Sequence, residues 1–327
     1  MRYFICLIVS IGLGGLGAWA ISHWGHVLGV LDRANRRSSH DGVVPKGGGI
    51  GILAAFLFLA WLSKLPTLLW VCPGLLSLFS FYGDRKEVPA KIRLCVQFVA
   101  AIGLLVGLFH WEERGWLAYL LIPIFSVFVV GTANYYNFMD GINGIAGVTG
   151  LVGFGLIALF AGLSGANEAY WVLALCMMLG CVGFLPFNMP TARVFMGDVG
   201  SVLLGFVFAG LVVGLARSLN DFLVLCAFMF PFYADELTTE YVRLRDGENL
   251  LQPHRRHVYQ LLVNEIGIDH WKVSVGYGLF QLLVGISILI AMAWGLFLVL
   301  SALVFYFFVF ATSGYLIRSA AAKGIEA

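Results

Sequence analysis

The sequence predicts an all-α polytopic membrane protein. Three observations carry that prediction. Of 327 residues, 60% are hydrophobic and only 12% charged, against roughly 25% charged in a soluble domain. Mean hydropathy is +0.91. Apolar stretches near the ~20 residues that a helix needs to cross a bilayer recur along the chain, whereas a membrane β-barrel would show short alternating segments.

Eleven candidate spans follow in order: 3–22, 48–65, 67–82, 92–110, 116–133, 142–163, 169–187, 198–216, 220–236, 273–292 and 294–316. The third and ninth are the shortest and the last two nearly touch, so ten is the alternative count. All belong to one integral membrane domain, 1–327. Segment 1 ends in "GAWA", which looks like a signal-peptidase site. The stretch after it carries Arg33, Arg36, Arg37 and Lys46, so a retained helix is expected. The six Cys lie in apolar runs without a CxxC pair, the pattern of small buried hydrophobes and not of a disulfide framework or zinc site.

Basic residues set the orientation. The loops after odd-numbered spans, with the C-terminal tail, hold 16 of the 20 Lys and Arg. The other side holds Arg2, Lys64, Arg114 and Arg217. Positive charge marks the cytoplasm, so the N-terminus is expected outside and the five odd loops inside.

Those odd loops carry the reactive side chains. Loop 5 reads "NYYNFMDGINGIAG", Asn134 to Gly147, with no basic residue. Asn134, Asn137 and Gly141 share one face if span 5 continues as a helix. Asp140 and Asn143 stand where span 6 begins, a place that suits either a polar helix cap or an anion-lined site. Loop 1 offers Arg37, Ser38, Ser39 and His40, then Gly47 to Gly49, which permit either phosphate approach or tight helix packing. Loop 3 places Asp84 before Arg85 and Lys86, the usual makeup of a solvated salt-bridge cluster. Loop 7 puts Asp198 between Gly197 and Gly200 at the start of span 8. Loop 9 carries "HRRH", His254, Arg255, Arg256 and His257, suited to anionic lipid or to a diphosphate. Acids and bases on one face of one membrane, with hard oxygen ligands for Mg²⁺, are the equipment of phosphoryl transfer.

The motifs resemble those of the polyprenyl-phosphate N-acetylhexosamine-1-phosphate transferase family, a glycosyltransferase family 4 type. "NYYNFMDGINGIAG" is similar to its NxxNxxDGxxGL pattern, and "NMPTARVFMGDVGS" to NxPAxxFMGDxGS. "DRANRRSSHDGVVPKGGG" resembles DxPNxRSSHxxPTPRGGG, with Ala34 for Pro and Lys46 for Arg. "HRRHVYQ" looks like the HRxHxYQ of the O-antigen-initiating branch and unlike the HxHH of the peptidoglycan translocase branch. The resemblance covers loops 1 to 9, about 230 residues.

The resemblance implies transfer of a sugar 1-phosphate from a UDP-N-acetylhexosamine to undecaprenyl phosphate, with UMP released, at the cytoplasmic face of a bacterial inner membrane. It implies Mg²⁺, or Mn²⁺ in its place, on Asp198 with Asn143 or Asp140 beside it. Asp84, Asp140 and Asp198 are the implied catalytic acids. Asn188 and Phe195 match positions that contact the nucleoside. Arg37, His40, Asn134, Asn137 and the tetrad His254 to His257 complete the implied substrate-binding set. Membrane lipid and a second copy of the chain, as a homodimer, are the expected partners, and nucleic acid is not one. The alternative functions are a phospho-MurNAc-pentapeptide translocase-like enzyme and a lipid or sugar transporter. The latter would place polar groups in broken helices near the midplane, whereas the ionisable residues here gather at helix ends.

One departure stands out. Where the family has Asp-Asp, this chain has Gly83 and Asp84, so the carboxylate often assigned as base toward the lipid phosphate is missing. A polyprenyl phosphate has a second pKa near the ~6 of other phosphate monoesters, so an active enzyme without that acid is expected.

Overall fold

The computed structural model describes residues 2–33, 39, 42–63, 65–86, 88–109, 116–250, 252 and 254–325. It is a helical bundle: α1 (Arg2–Leu28), α2 (Ile50–Ser63), α3 (Thr67–Arg85), α4 (Ala90–Leu108), α5 (Trp116–Phe138), α6 (Ile145–Leu163), α7 (Glu168–Asn188), α8 (Asp198–Leu215), α9 (Leu219–Ala227), α10 (Phe230–Arg245), α11 (Val258–Asn264), α12 (His270–Ala291) and α13 (Leu296–Ile325). Loop 1 adds a small antiparallel hairpin, β1 (Leu31–Arg33) with β2 (Val43–Pro45), in which Leu31 pairs Pro45.

Ten of the eleven expected spans each coincide with one helix. Among the described residues, eight are long and apolar enough to cross a membrane: α1, α4, α5, α6, α7, α8, α12 and α13. The ninth expected span, 220–236, is broken. Helices α9 and α10 meet at 84°, because Pro231 enters the first turn of α10 and has no N–H with which to continue α9. The Gln281 side chain donates to the freed Phe228 carbonyl at 2.6 Å. With 14 residues, α2 reaches only about 21 Å and falls short of a full crossing. α3 contains Pro73 and ends on Asp84 and Arg85.

Helix α8 is the axis of the bundle, 89% of its apolar window being buried. Segment 1 is an integral part of the packing. A Cβ on Gly14 or Gly183 would run into the facing backbone of α7 or α1, the close approach that small residues allow between membrane helices. By contrast α13 buries only 11% of its window and presents Phe297, Phe305 and Phe308 outward.

The five odd loops converge on one face. Lys46 bridges to Phe195, Arg93 reaches Asp198, Asn143 reaches Pro190 and Tyr259 reaches Phe138. Helix α5 continues to Phe138, beyond the expected end of its span at residue 133, which does place Asn134 and Asn137 on one face. Gly141 lies past the helix end, in the turn that precedes α6.

Candidate active site

The centre of the converging loops is built on Asp84 and Asp198. Asp84, in the last turn of α3, is 8% exposed. Its Oδ1 lies 3.4 Å from Lys46 Nζ. Its Oδ2 accepts from the Val199 N–H at 3.4 Å, and the Asp198 N–H also donates to the carboxylate. One carboxylate thus caps the start of α8, where unsatisfied N–H groups favour an anion, and joins α3, loop 1 and α8. Asp198 Oδ2 accepts from Arg93 Nη1 at 3.3 Å and the Asn137 amide also bonds its carboxylate. Asn137 Oδ1 in turn accepts from Ser201 Oγ at 2.6 Å.

Asp140 sits in the turn between α5 and α6. Burial, then the negative charges of Asp198 and Asp84, push its carboxyl group up to about 7. The turn is held from several sides. The Asn143 N–H donates to His270 Nδ1 at 3.2 Å, Ser274 Oγ donates to the Asn143 carbonyl at 2.7 Å, and the Gly144 N–H donates to Asn188 Oδ1 at 2.7 Å. Asn143 Nδ2 donates to the Pro190 carbonyl at 3.3 Å.

The glycine triplet of loop 1 packs and does not cradle. Gly47 and Gly48 N–H both donate to the Phe195 carbonyl, and Gly49 N–H donates to the Met196 carbonyl. A Cβ on Gly49 would collide with the Gly200 backbone. Of the two uses that the sequence leaves open for these glycines, the structure takes close packing.

The remaining expected site residues fall into three groups. Asn134 is committed to a helix–helix amide pair: its Nδ2 donates to Gln97 Oε1 at 2.7 Å and to the Val130 carbonyl at 2.8 Å. Asn188 is 5% exposed and ties two loops, since its Nδ2 donates to the Val194 carbonyl at 2.8 Å while its Oδ1 takes Gly144. Phe195 is half-buried beside it. The tetrad of loop 9 is paired with acids: Arg255 with Glu265 at 2.8 Å, and Arg256 with Asp246 at 2.7 Å and with Glu248. His257 is buried, 3.7 Å from Asp235 and 3.8 Å from Glu236. The His254 ring lies tilted against His257, with centroids 4.7 Å apart, and burial pushes its imidazole down to about 4. Arg37 and His40 lie outside the described residues.

Sequence reasoning counted Arg93 only as a loop charge and did not weigh Gln97, Ser201, Tyr259 or His270. Ser201 and Tyr259 stand at fixed letters of the quoted GDxGS and HRxHxYQ patterns, whereas nothing local marks Gln97 or His270, whose partners are far away in the chain. Arg93 carried one available signal: a basic residue in the first turn of a helix, where the macrodipole disfavours it.

The donor set suits a hard divalent cation. Three carboxylates face two cations, Lys46 and Arg93, and burial together with that excess raises the acid of Asp140. Among the described residues no three His, Cys, Asp or Glu side chains form a closed metal cage. Mg²⁺ is ordinarily held by one or two carboxylates with waters and substrate phosphates completing its shell, so an open carboxylate pair fits.

The family description "Glycosyl transferase family 4" matches residues 66–216, which include Asp84, Asp140 and Asp198. An undecaprenyl-phosphate alpha-N-acetylglucosaminyl 1-phosphate transferase of Salmonella typhi is 28% identical over 261 residues, 72% of this chain and 70% of that protein. The protein of that name in Escherichia coli K12 is 28% identical over 263 residues, 72% and 70% of the two chains. A probable undecaprenyl-phosphate N-acetylglucosaminyl 1-phosphate transferase of Bacillus subtilis is 26% identical over 268 residues, 76% and 73% of the two chains.

Proposed function

The chain belongs to glycosyl transferase family 4, and from that premise we propose that it transfers an N-acetylhexosamine 1-phosphate from a UDP-sugar to undecaprenyl phosphate. The observation that carries the proposal is the convergence of Asp84, Asp140 and Asp198 with Lys46 and Arg93 at the membrane-surface ends of α3, α4, α5 and α8. A lipid acceptor keeps its tail among the helices, so its phosphate is available only at that level.

The acceptor's phosphate oxygen attacks the β-phosphorus of the donor. The new P–O bond joins sugar phosphate to lipid phosphate, the bond to the α-phosphate breaks, and UMP leaves. Two anions must meet in line, so catalysis is mainly positioning and charge stabilisation. Asp198, with Asp140 and Asn143 beside it, would hold Mg²⁺, which supplies charge neutralisation to the phosphates when bound. Lys46 pairs with Asp84 and fixes it on the start of α8. Arg93, 47% exposed at its side chain, orients Asp198 and presents further N–H donors toward the site. Asn137 and Ser201 hold the Asp198 carboxylate in one rotamer.

The basic residues gathered on this face favour the cytoplasmic side, where nucleotide sugars are made. UDP-N-acetylglucosamine is the first donor to test, since the similar proteins carry N-acetylglucosaminyl in their names. The "HRRHVYQ" form of loop 9 favours initiation of O-antigen or a related envelope polysaccharide. The test is UMP release from purified protein with undecaprenyl phosphate, Mg²⁺ and a panel of UDP-N-acetylhexosamines. Release with one donor, lost on adding EDTA, is expected. No release with any donor in the panel would refute the proposal.

A further inference from the structure

Helix α11 and the turn that carries Asp140 are joined by one side chain, Tyr259. It is fully buried, and its hydroxyl donates to the Phe138 carbonyl at 3.2 Å. Phe138 is the last residue of α5, and its carbonyl is among the last four that the helix cannot satisfy internally. The phenol therefore caps α5 two residues before Asp140.

The ring has little freedom. Tyr259 stacks on His257 with planes 14° apart and meets Tyr277 edge-on. Its backbone N–H donates to Asp235 Oδ2 at 3.3 Å. Asp235, wholly buried, also accepts from the Val258 N–H at 2.9 Å, the Thr239 hydroxyl at 3.0 Å and the Tyr277 hydroxyl at 2.7 Å. Facing the phenol is Gly141. A Cβ there would overlap the Tyr259 hydroxyl and lie 3.1 Å from its ring carbon. The turn after Phe138 has its path because Tyr259 occupies the space that a side chain at 141 would need.

We infer that Tyr259 is a positioning residue for Asp140: its hydroxyl, anchored through Asp235, fixes where the chain leaves α5 and so where the Asp140 carboxylate stands relative to Asp198. The role in turnover rests on the transferase reading. The structural role does not.

The experiment is Tyr259→Phe in the full-length protein in nanodiscs, which removes one oxygen and keeps the ring. Hydrogen–deuterium exchange of peptides spanning 139–144 is measured first. Faster exchange confined to that turn, with an unchanged Tm, is the expected result. Unchanged exchange there overturns the inference, as does faster exchange throughout the bundle with a lowered Tm, which would make Tyr259 merely structural. Gly141→Ala, which presses on the turn from the opposite side, should give the same local signature. An unaltered turn in that variant also overturns the inference. In the UMP-release assay, Tyr259→Phe should lower kcat about tenfold with KM for the UDP-sugar within twofold. A twofold or smaller change in kcat overturns the catalytic part. Parent protein that releases no UMP refutes the transferase reading alone, and the exchange measurement still decides the positioning.

Discussion

Gly83→Asp tests whether the missing carboxylate matters. A Cβ at Gly83 would meet only Val88 Cγ2, at 4.0 Å, and the backbone there is ordinary helix, so a side chain can start there without backbone strain or a clash at Cβ. Replacing Gly by Asp in a helix gains a few tenths of a kcal/mol at most, and the variant should fold as the parent does. The gain open to a base is then set by the acceptor. With a second pKa of ~6 for a phosphate monoester, about 97% of the acceptor is already dianionic at pH 7.5, and about a quarter at pH 5.5. A base that only removes this proton could raise the rate by a few per cent at pH 7.5 and about fourfold at pH 5.5. UMP release by parent and variant, assayed with the same donor at both pH values, reads this directly. Equal kcat within twofold at pH 7.5 is expected. A rise of a hundredfold or more, the size of general-base catalysis, would refute the reasoning and mark the parent as an impaired enzyme.

Three further predictions concern other parts of the site and its support. Asp198→Asn removes the charge that Arg93 and Asn137 orient, and should cut kcat by at least a hundredfold while Tm stays within a few degrees; activity within tenfold of the parent would argue that Asp198 is only a helix-start residue. Arg243, 3% exposed, donates to Glu248 and to the Asn249, Leu250 and Gln252 carbonyls. Arg243→Ala should therefore cost about 2–3 kcal/mol and open residues 245–257 to limited proteolysis, and unchanged cleavage would count against that role. His254 is pushed down to about 4 by burial from an unfolded value near 6.5. Between those values the unfolded chain takes up a proton that the folded chain refuses, so stability falls as pH drops from 6.5 toward 4. His254→Gln should flatten that part of a Tm-against-pH profile, and an identical slope would show that the imidazole is not held neutral.

How much of this was legible in the sequence depends on the range of the contact. The positions of the apolar helices and the gathering of the odd loops follow from local apolarity and from where Lys and Arg sit, and both are visible along the chain. The bend between α9 and α10 was also marked, by Pro231, but the apolar run across it hides the break. Loop 9 shows the limit more sharply. "HRRH" reads as a free cationic cluster because its acidic partners are not recognisable as partners: Asp246 and Glu248 lie before it and Glu265 beyond it, and only the fold of 243–265 brings them to Arg255 and Arg256. Asn134 misleads in the same way. Its place in an asparagine-rich motif suggests a ligand, whereas its amide is committed to Gln97, 37 residues upstream.

The triple glycine shows why the acids meet at all. Asp84, Asp198 and Lys46 come from three segments that must pass within backbone contact of one another. Gly197 has φ +73°, a left-handed value that disfavours other residues, and a Cβ on it would lie 2.6 Å from Gly47 N and 2.9 Å from Asp84 Oδ2. Gly49 and Gly200 exclude a side chain between α2 and α8 in the same way. Any Cβ at these points separates the segments and lengthens the Lys46–Asp84 and Asp84–Val199 contacts together. The glycines of loops 1 and 7 therefore act on the chemistry through distance, holding carboxylates at a spacing that their mutual repulsion alone would oppose.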